Sequence, residues 1–221
     1  MYTIKSLILI GTSHISLESV KEVKETIEKT HPDIIALELD LKRFKQLISA
    51  KKHKISIRDI GKKGFLLNLI GAYIESYLGK KVGTTPGVEM KEAIQLAKNN
   101  HIKIALIDQD IQITLRKLKS RITFKEKLNF IKNIFKGIFL QQKLSFDLSK
   151  VPEQKLINKL TLEIKRGYPS IYRTLIEERD EIMADALLNL IKEDKKVVAV
   201  IGAGHIPGIA KIVKWKLQKK K

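Results

Sequence analysis

No cysteine occurs in the sequence, which excludes disulfides, Cys-ligated zinc and iron–sulfur clusters and fits a reducing cytoplasmic setting. Long apolar runs are missing too. The nearest approach, "FLLNLIGAYIESYL" from Phe65 to Leu78, contains Glu75 and is shorter than the ~20 residues that cross a bilayer. A secretory signal is not expected, because no charged n-region precedes an apolar stretch with a cleavage site. Acidic residues are few: 24 Asp and Glu stand against 43 Lys and Arg, a formal net charge of +19. That balance invites anionic partners, either nucleic acid or an anionic membrane surface. The cations are spread along the chain without interleaved aromatics or an RNP-like stretch, so nucleic acid is the weaker fit. A solvated Lys-rich surface accounts for much of the charge. The dense ending "KWKLQKKK", Lys214 to Lys221, also reads as the basic stop of a cytoplasmic domain beside a membrane segment.

Familiar catalytic signatures are absent as well. There is no Gly-x-Ser-x-Gly elbow to make Ser13 a nucleophile. "GKKG", Gly61 to Gly64, lacks the spacing and the Lys-Ser/Thr of a phosphate-binding loop. Gly202-x-Gly204 begins like a dinucleotide fingerprint, but Pro207 stands where the third glycine belongs. His31, His53 and His101 precede strands or lie in a basic loop and are expected at the surface.

What remains is a folding chain of 221 residues with 43% apolar content, enough for one sizeable core. Four β-branched or Leu-rich runs read as buried parallel strands: Ser6–Gly11, Asp33–Leu39, Ile102–Asp108 and Lys196–Gly202. Between them, "SLESVKEVKETIEK" places Leu17, Val20, Val23 and Ile27 on one helix face, with Ser16 as N-cap. "GVEMKEAIQLAKNN" turns Val88, Ala93, Ile94 and Ala97 inward. The expectation is α/β: a largely parallel central sheet flanked by helices, joined by right-handed crossovers. Basic amphipathic helices are expected over Lys125–Gln141, Glu153–Arg166 and Ser170–Ile191, with Pro152 and Pro169 as start signals, and the Phe65–Leu78 and Thr123–Arg166 helices read as a cap or side layer. The whole of 1–221 reads as one domain with helical insertions at about 62–79 and 120–168.

Parallel strands deliver the residues at their carboxyl ends to one edge of the sheet, where ligands bind. Strand one runs into Gly11-Thr12-Ser13-His14 and strand four into Gly202-Ala203-Gly204-His205. Strand two ends with Glu38 and Asp40, strand three with Asp108-Gln109-Asp110. Any one of these could simply cap a helix. As a set, imidazole plus carboxylate without thiolate is a donor set for a divalent metal that activates water. "EERD", Glu177 to Asp180, lies mid-helix, where a salt-bridged solvent face is the ordinary outcome.

The stretches "GTSHIS", "PDIIALELDLKRF", "TTPGVEMKEAIQLA", "IALIDQDIQITLRK", "YRTLIEERDEIMA" and "VVAVIGAGHIPGI" occur in one order across nearly the whole chain. In these the chain resembles TraB/PrgY-type (pheromone-shutdown) domains, related to Tiki-type metalloproteases and more distantly to ChaN-like and erythromycin-esterase-like proteins. The resemblance implies a metal-dependent peptidase or hydrolase using Mn or Co, with Zn or Fe as alternatives, on a peptide or other small substrate. It implies His14, Glu38, Glu89 and His205 as catalytic and metal-binding residues. Arg43, Asp108, Asp110, Arg116, Arg179 and Asp180 would bind substrate, and Gly11, Gly202 and Gly204 would line the cofactor. Glu89 and the Glu-Arg-Asp helix are singled out by the resemblance alone. One departure is visible: family members often carry Asp-Arg-Asp where this chain has Asp108-Gln109-Asp110. Many relatives continue into C-terminal membrane helices, so a cytoplasmic domain of a membrane protein is one expectation. A non-catalytic, membrane-associated regulatory or ligand-binding domain is the alternative function, and oligomerisation is left open.

Overall fold

The computed structural model describes residues 1–13, 17–49, 87–130, 132, 154–193 and 195–219. Five strands, β1 (Tyr2–Ile4), β2 (Leu7–Thr12), β3 (Ile34–Leu37), β4 (Lys103–Leu106) and β5 (Val197–Gly202), form one sheet in the order β1-β2-β5-β3-β4. The four runs read from the sequence are these last four strands, and they pair in parallel. β1 was not expected. It is a three-residue edge strand, antiparallel to β2, and its turn is made by Lys5 at φ 52°.

β5, last in sequence, fills the slot between the first parallel strand and the second. All six of its residues are buried, as a strand covered on both faces requires. Its alternation sorts the core into two layers. Val197, Ala199 and Ile201 join Leu7, Leu9, Ile34 and Ala36 against Met183, Leu187, Ile209 and Val213. Those partners come from the helices Glu178–Leu190 (here α7) and Ile206–Gln218 (α8). Val198 and Val200 join Ile10, Ile35 and Leu37 against the other pair, Leu17–Thr30 (α1) and Val88–Asn99 (α3). Each fully buried aliphatic side chain of this kind contributes about 1.5–3 kcal/mol.

The inward stripe of α1 differs from expectation. Leu17 is 68% exposed, while Ser19, Val23, Thr26 and Ile27 face the core. The reason is polar. The Ser19 hydroxyl accepts from the Ser13 backbone N–H at 3.0 Å and donates to the Ser13 carbonyl at 3.3 Å, which turns the helix and ties down the exit of β2.

The long helix expected over Ser170–Ile191 is helical throughout but not uniform. Helix α6 (Pro169–Tyr172, with Pro169 in its first turn) passes into a π-helical turn at Arg173–Glu177, then α7, then a 3₁₀ turn at Ile191–Glu193. Helices α2 (Leu41–Ile48) and α4 (Ile111–Arg121) follow β3 and β4, and α5 spans Gln154–Gly167. Residues 124–130 are helical too, opened by a capping box: the Glu126 carboxylate accepts from the Thr123 N–H at 2.8 Å and the Thr123 hydroxyl at 2.9 Å. Its other oxygen accepts from the Ser170 N–H at 2.7 Å and so joins this layer to α6. The 62–79 insertion, Ser16, His53, Pro152 and the whole of the 133–153 stretch lie outside the described residues. Among the described residues no helix is long and apolar enough to cross a membrane. His31 and His101 are exposed at positive φ (43° and 54°), ending α1 and α3.

Candidate metal and substrate site

The carboxyl ends of β2, β5, β3 and β4 lie along one edge of the sheet. At its centre the two Gly-x-x-His loops leave adjacent strands, with Thr12 paired to Gly202. The loops are bonded to each other: the Ala203 N–H donates to the Thr12 carbonyl at 2.9 Å, and the Thr12 hydroxyl to the Ile201 carbonyl at 3.4 Å. Gly11 permits this closeness, since a Cβ there would lie 3.0 Å from Ile206 Cγ1 and 3.3 Å from Ala203 Cα. Gly204 faces open space. His14 itself lies outside the described residues.

Beside this edge, α7 delivers Arg179, and the guanidinium organises the rest. Its Nε donates to Asp108 Oδ1 at 3.1 Å and its Nη2 to Asp108 Oδ2 at 2.7 Å, a bidentate fork. Nη2 also meets Glu38 Oε1, and Nη1 donates to the Leu175 carbonyl at 3.3 Å. Glu38 is 3% exposed, and its other oxygen accepts from the Gly202 N–H at 2.6 Å. Burial disfavours the Arg179 cation. The hydrogen bonds and charges of Asp108 and Glu38 outweigh that, so its pKa rises above the ordinary guanidinium value. Arg43 Nη1 approaches the same carboxylate, 3.7 Å from Asp108 Oδ2.

The next residue reaches His205. Asp180 Oδ1 lies 2.6 Å from His205 Nδ1, and Arg179 Nη1 lies 3.1 Å from His205 Nε2. An arginine cannot accept a hydrogen bond. The Nδ1 therefore carries the proton, donated to Asp180, and Nε2 is the bare nitrogen. Burial pushes the Asp180 carboxyl up, opposed by the hydrogen bond from His205. Gly208 makes room for the pair: a Cβ there would sit 1.9 Å from Asp180 Oδ2. Pro207, in the first turn of α8, explains why the third glycine of a dinucleotide loop is missing, since proline suits a helix start.

The remaining candidates lie around this centre. Asp40 caps α2, accepting from the Lys42 N–H at 2.7 Å and the Arg43 N–H at 3.0 Å, and reaches the Ile111 N–H at 3.4 Å. Asp110 caps α4 and pairs with Lys42 Nζ at 2.7 Å, which holds its carboxyl below the usual range. Arg116 is exposed on α4, with Nε on the Gln112 carbonyl at 3.3 Å. Glu89 is buried in the first turn of α3. Gln109 donates to the buried Thr114 hydroxyl at 2.9 Å.

The expectation of a solvated Glu-Arg-Asp face holds for only half of the stretch. Glu177 and Glu178 take Lys165, Lys117 and Arg121 outside, while Arg179 and Asp180 turn inward. Hydrophobic periodicity gives no signal for this, because the inward residues are charged and a π turn precedes them. Gly208 lies within "VVAVIGAGHIPGI" without being singled out there, and Ser19 lies in none of the quoted stretches. A glycine one helical turn from a candidate histidine is the signal that could have found the former.

A family model described as the TraB/PrgY/gumN family matches residues 3–220. An uncharacterized protein of Methanocaldococcus jannaschii is 40% identical over 214 residues, 93% of this chain and 53% of that protein. A human TraB domain-containing protein is 26% identical over 233 residues, covering 92% of this chain and 61% of its own length, and a mouse TraB domain-containing protein is 25% identical over the same extent. The chain spans about half to three fifths of the length of these curated relatives.

Proposed function

The chain belongs to the TraB/PrgY/gumN family, and from that premise we propose that it is a divalent-metal-dependent hydrolase acting on peptides or other small substrates. The observation that carries this reading is the Asp180–His205 pair. A carboxylate on Nδ1 fixes the ring and leaves Nε2 bare, which is how proteins orient a metal-binding histidine. That nitrogen lies 3.5 Å from Glu38 Oε1, a spacing that suits two ligands of one ion at bond lengths of about 2.0–2.2 Å.

Among the described residues no three His, Asp or Glu side chains already form a metal-holding group. The reading therefore draws its further ligand from His14, two residues beyond Thr12, whose carbonyl accepts from the Ala203 N–H. Glu38 or Glu89 would serve as ligand or as general base. Arg43 and Arg179 would take a substrate carboxylate, with Asp108 orienting both. A bound ion, Mn or Co by preference and Zn or Fe with the same donors, would supply Lewis acidity and a water of lowered pKa. The test is a peptide library incubated with metal-loaded protein and read by mass spectrometry. Cleavage should appear with Mn or Co and vanish on chelation. Identical spectra with and without metal would refute the proposal.

A second reading, a ligand-binding or regulatory domain at an anionic membrane surface, is favoured by the helical layer. Phe124 is 80% exposed beside Lys125 and Lys127, and exposed Leu162 and Ile164 accompany Lys165 and Arg166. Apolar anchors among cations suit an anionic interface. Vesicles containing phosphatidylserine should bind the protein in low salt and release it in high salt, and equal binding to neutral vesicles would remove this reading.

A further inference from the structure

Arg179 stands where a cation would stand. Its guanidinium is held by the carboxylates of Glu38 and Asp108 and confronts the bare Nε2 of His205 at 3.1 Å. Carboxylate and imidazole are also donor types that a divalent ion takes. We propose that Arg179 is a built-in competitor for that ion, an internal latch that holds the ligand pair Glu38–His205 in the metal-free protein and must leave it for metal to bind. The inference rests on the metal-hydrolase reading of the same site.

Three observations support it. An imidazole nitrogen has one lone pair, so Nε2 cannot accept from Arg179 and ligate an ion at once. Glu38 Oε1, the oxygen facing His205, is the one that Arg179 holds, while Oε2 is tied to the Gly202 N–H. Arg179 has partners besides the ligand pair: Asp108 accepts from Nε and Nη2, and the Leu175 carbonyl accepts from Nη1. Nη1 and Nη2 each serve one member of the ligand pair and one other partner, so the guanidinium leaves Glu38 and His205 by turning about Asp108, whose carboxylate keeps its charge paired. The π turn at Arg173–Glu177 lies just before it. Such turns inside α-helices are frequent at functional sites.

The direct test is a nitrogen-15 NMR titration of the full chain with Zn²⁺, a diamagnetic probe. The His205 Nε2 resonance should move to a metal-bound shift, and the Arg179 Nη signals should change at the same zinc concentrations. Movement of Nε2 with the Arg179 signals unchanged overturns the competition and leaves the metal reading standing. If neither responds at any concentration, the metal reading falls and the latch falls with it. The informative variant is Arg179→Met, which keeps much of the stem and removes the charge. Calorimetry should show Mn²⁺ bound at least about tenfold more tightly than by the native chain, the size of effect that losing one competing contact produces. Equal or weaker binding contradicts the proposal. Should Arg179→Met fail to fold without metal, Mn²⁺ should restore its circular dichroism. If it stays unfolded, the zinc titration of the native chain decides the matter alone.

Discussion

Four consecutive charged residues on one helix, Glu177 to Asp180, meet two different environments. The outer pair binds cations at the surface, Glu177 with Lys165 at 2.8 Å and the part-buried Glu178 with Lys117 at 2.8 Å and with Arg121. The inner pair, Arg179 and Asp180, is enclosed with Glu38, Asp108 and His205. Outside, water and salt share the charge, so each contact adds little. Inside, no water replaces a lost partner, so each group depends on the others. The comparison teaches that the chemistry-bearing part of this fold is held by charge, whereas the sheet beneath it is held by apolar packing.

Breaking the inner set should cost most. Glu38→Gln removes a buried carboxylate from Arg179 while keeping its shape, and urea unfolding should show a loss of about 3–5 kcal/mol. A loss below ~1 kcal/mol would erase the distinction between the two sides. Gly208→Ala should follow at roughly 1–3 kcal/mol, because the new methyl overlaps Asp180 Oδ2 and something must move. The same variant should disturb the His205 ring resonances, which a merely local strain would leave in place. Replacing Glu126 by Ala removes the capping box and the bond to Ser170, for an expected loss of about 1–2 kcal/mol.

The outer set should give the smallest change and the opposite pH slope. Glu178→Gln should cost no more than about 1 kcal/mol, less in high salt. The hydrogen bond from Lys117 lowers the folded pKa of Glu178 below its ordinary value of 4.5. Its contribution is therefore present above that value and lost as pH falls through the folded pKa. Asp180 runs the other way. Burial raises its folded pKa above the ordinary 3.8, so its contribution weakens as pH climbs from that value through the folded one. Urea midpoints across about pH 3–6 should flatten in opposite senses in Glu178→Gln and Asp180→Asn. Parallel changes would show that the two carboxylates share one environment.

The sheet was legible because its strands are apolar runs bounded by polar or glycine residues, and burial on both faces demands such runs. β1 was not legible: three residues carry no period, and a lysine at φ 52° gives no turn signal. The rim was legible as a set of residues at strand ends, since parallel topology fixes which ends meet. Its wiring was not. Nothing in the spacing tells that Asp40 and Asp110 act as helix caps while Asp108 grips Arg179. Nor does it show that Asp180 lies behind His205, which the substrate-binding role implied by resemblance did not anticipate. These contacts join residues up to 71 positions apart, and those of Arg179 and Asp180 follow a π turn in their helix.

The central claim is that the His205 edge of the sheet holds a divalent ion together with the first Gly-x-x-His motif. Elemental mass spectrometry of protein loaded with Mn²⁺ and dialysed tests it most directly, comparing the native chain with His14→Ala and His205→Ala variants of unchanged circular dichroism. The account predicts roughly one Mn per native chain, as a single site requires, and almost none in either variant. A native chain that retains no metal, or a His205→Ala variant that retains as much as the native one, would contradict it.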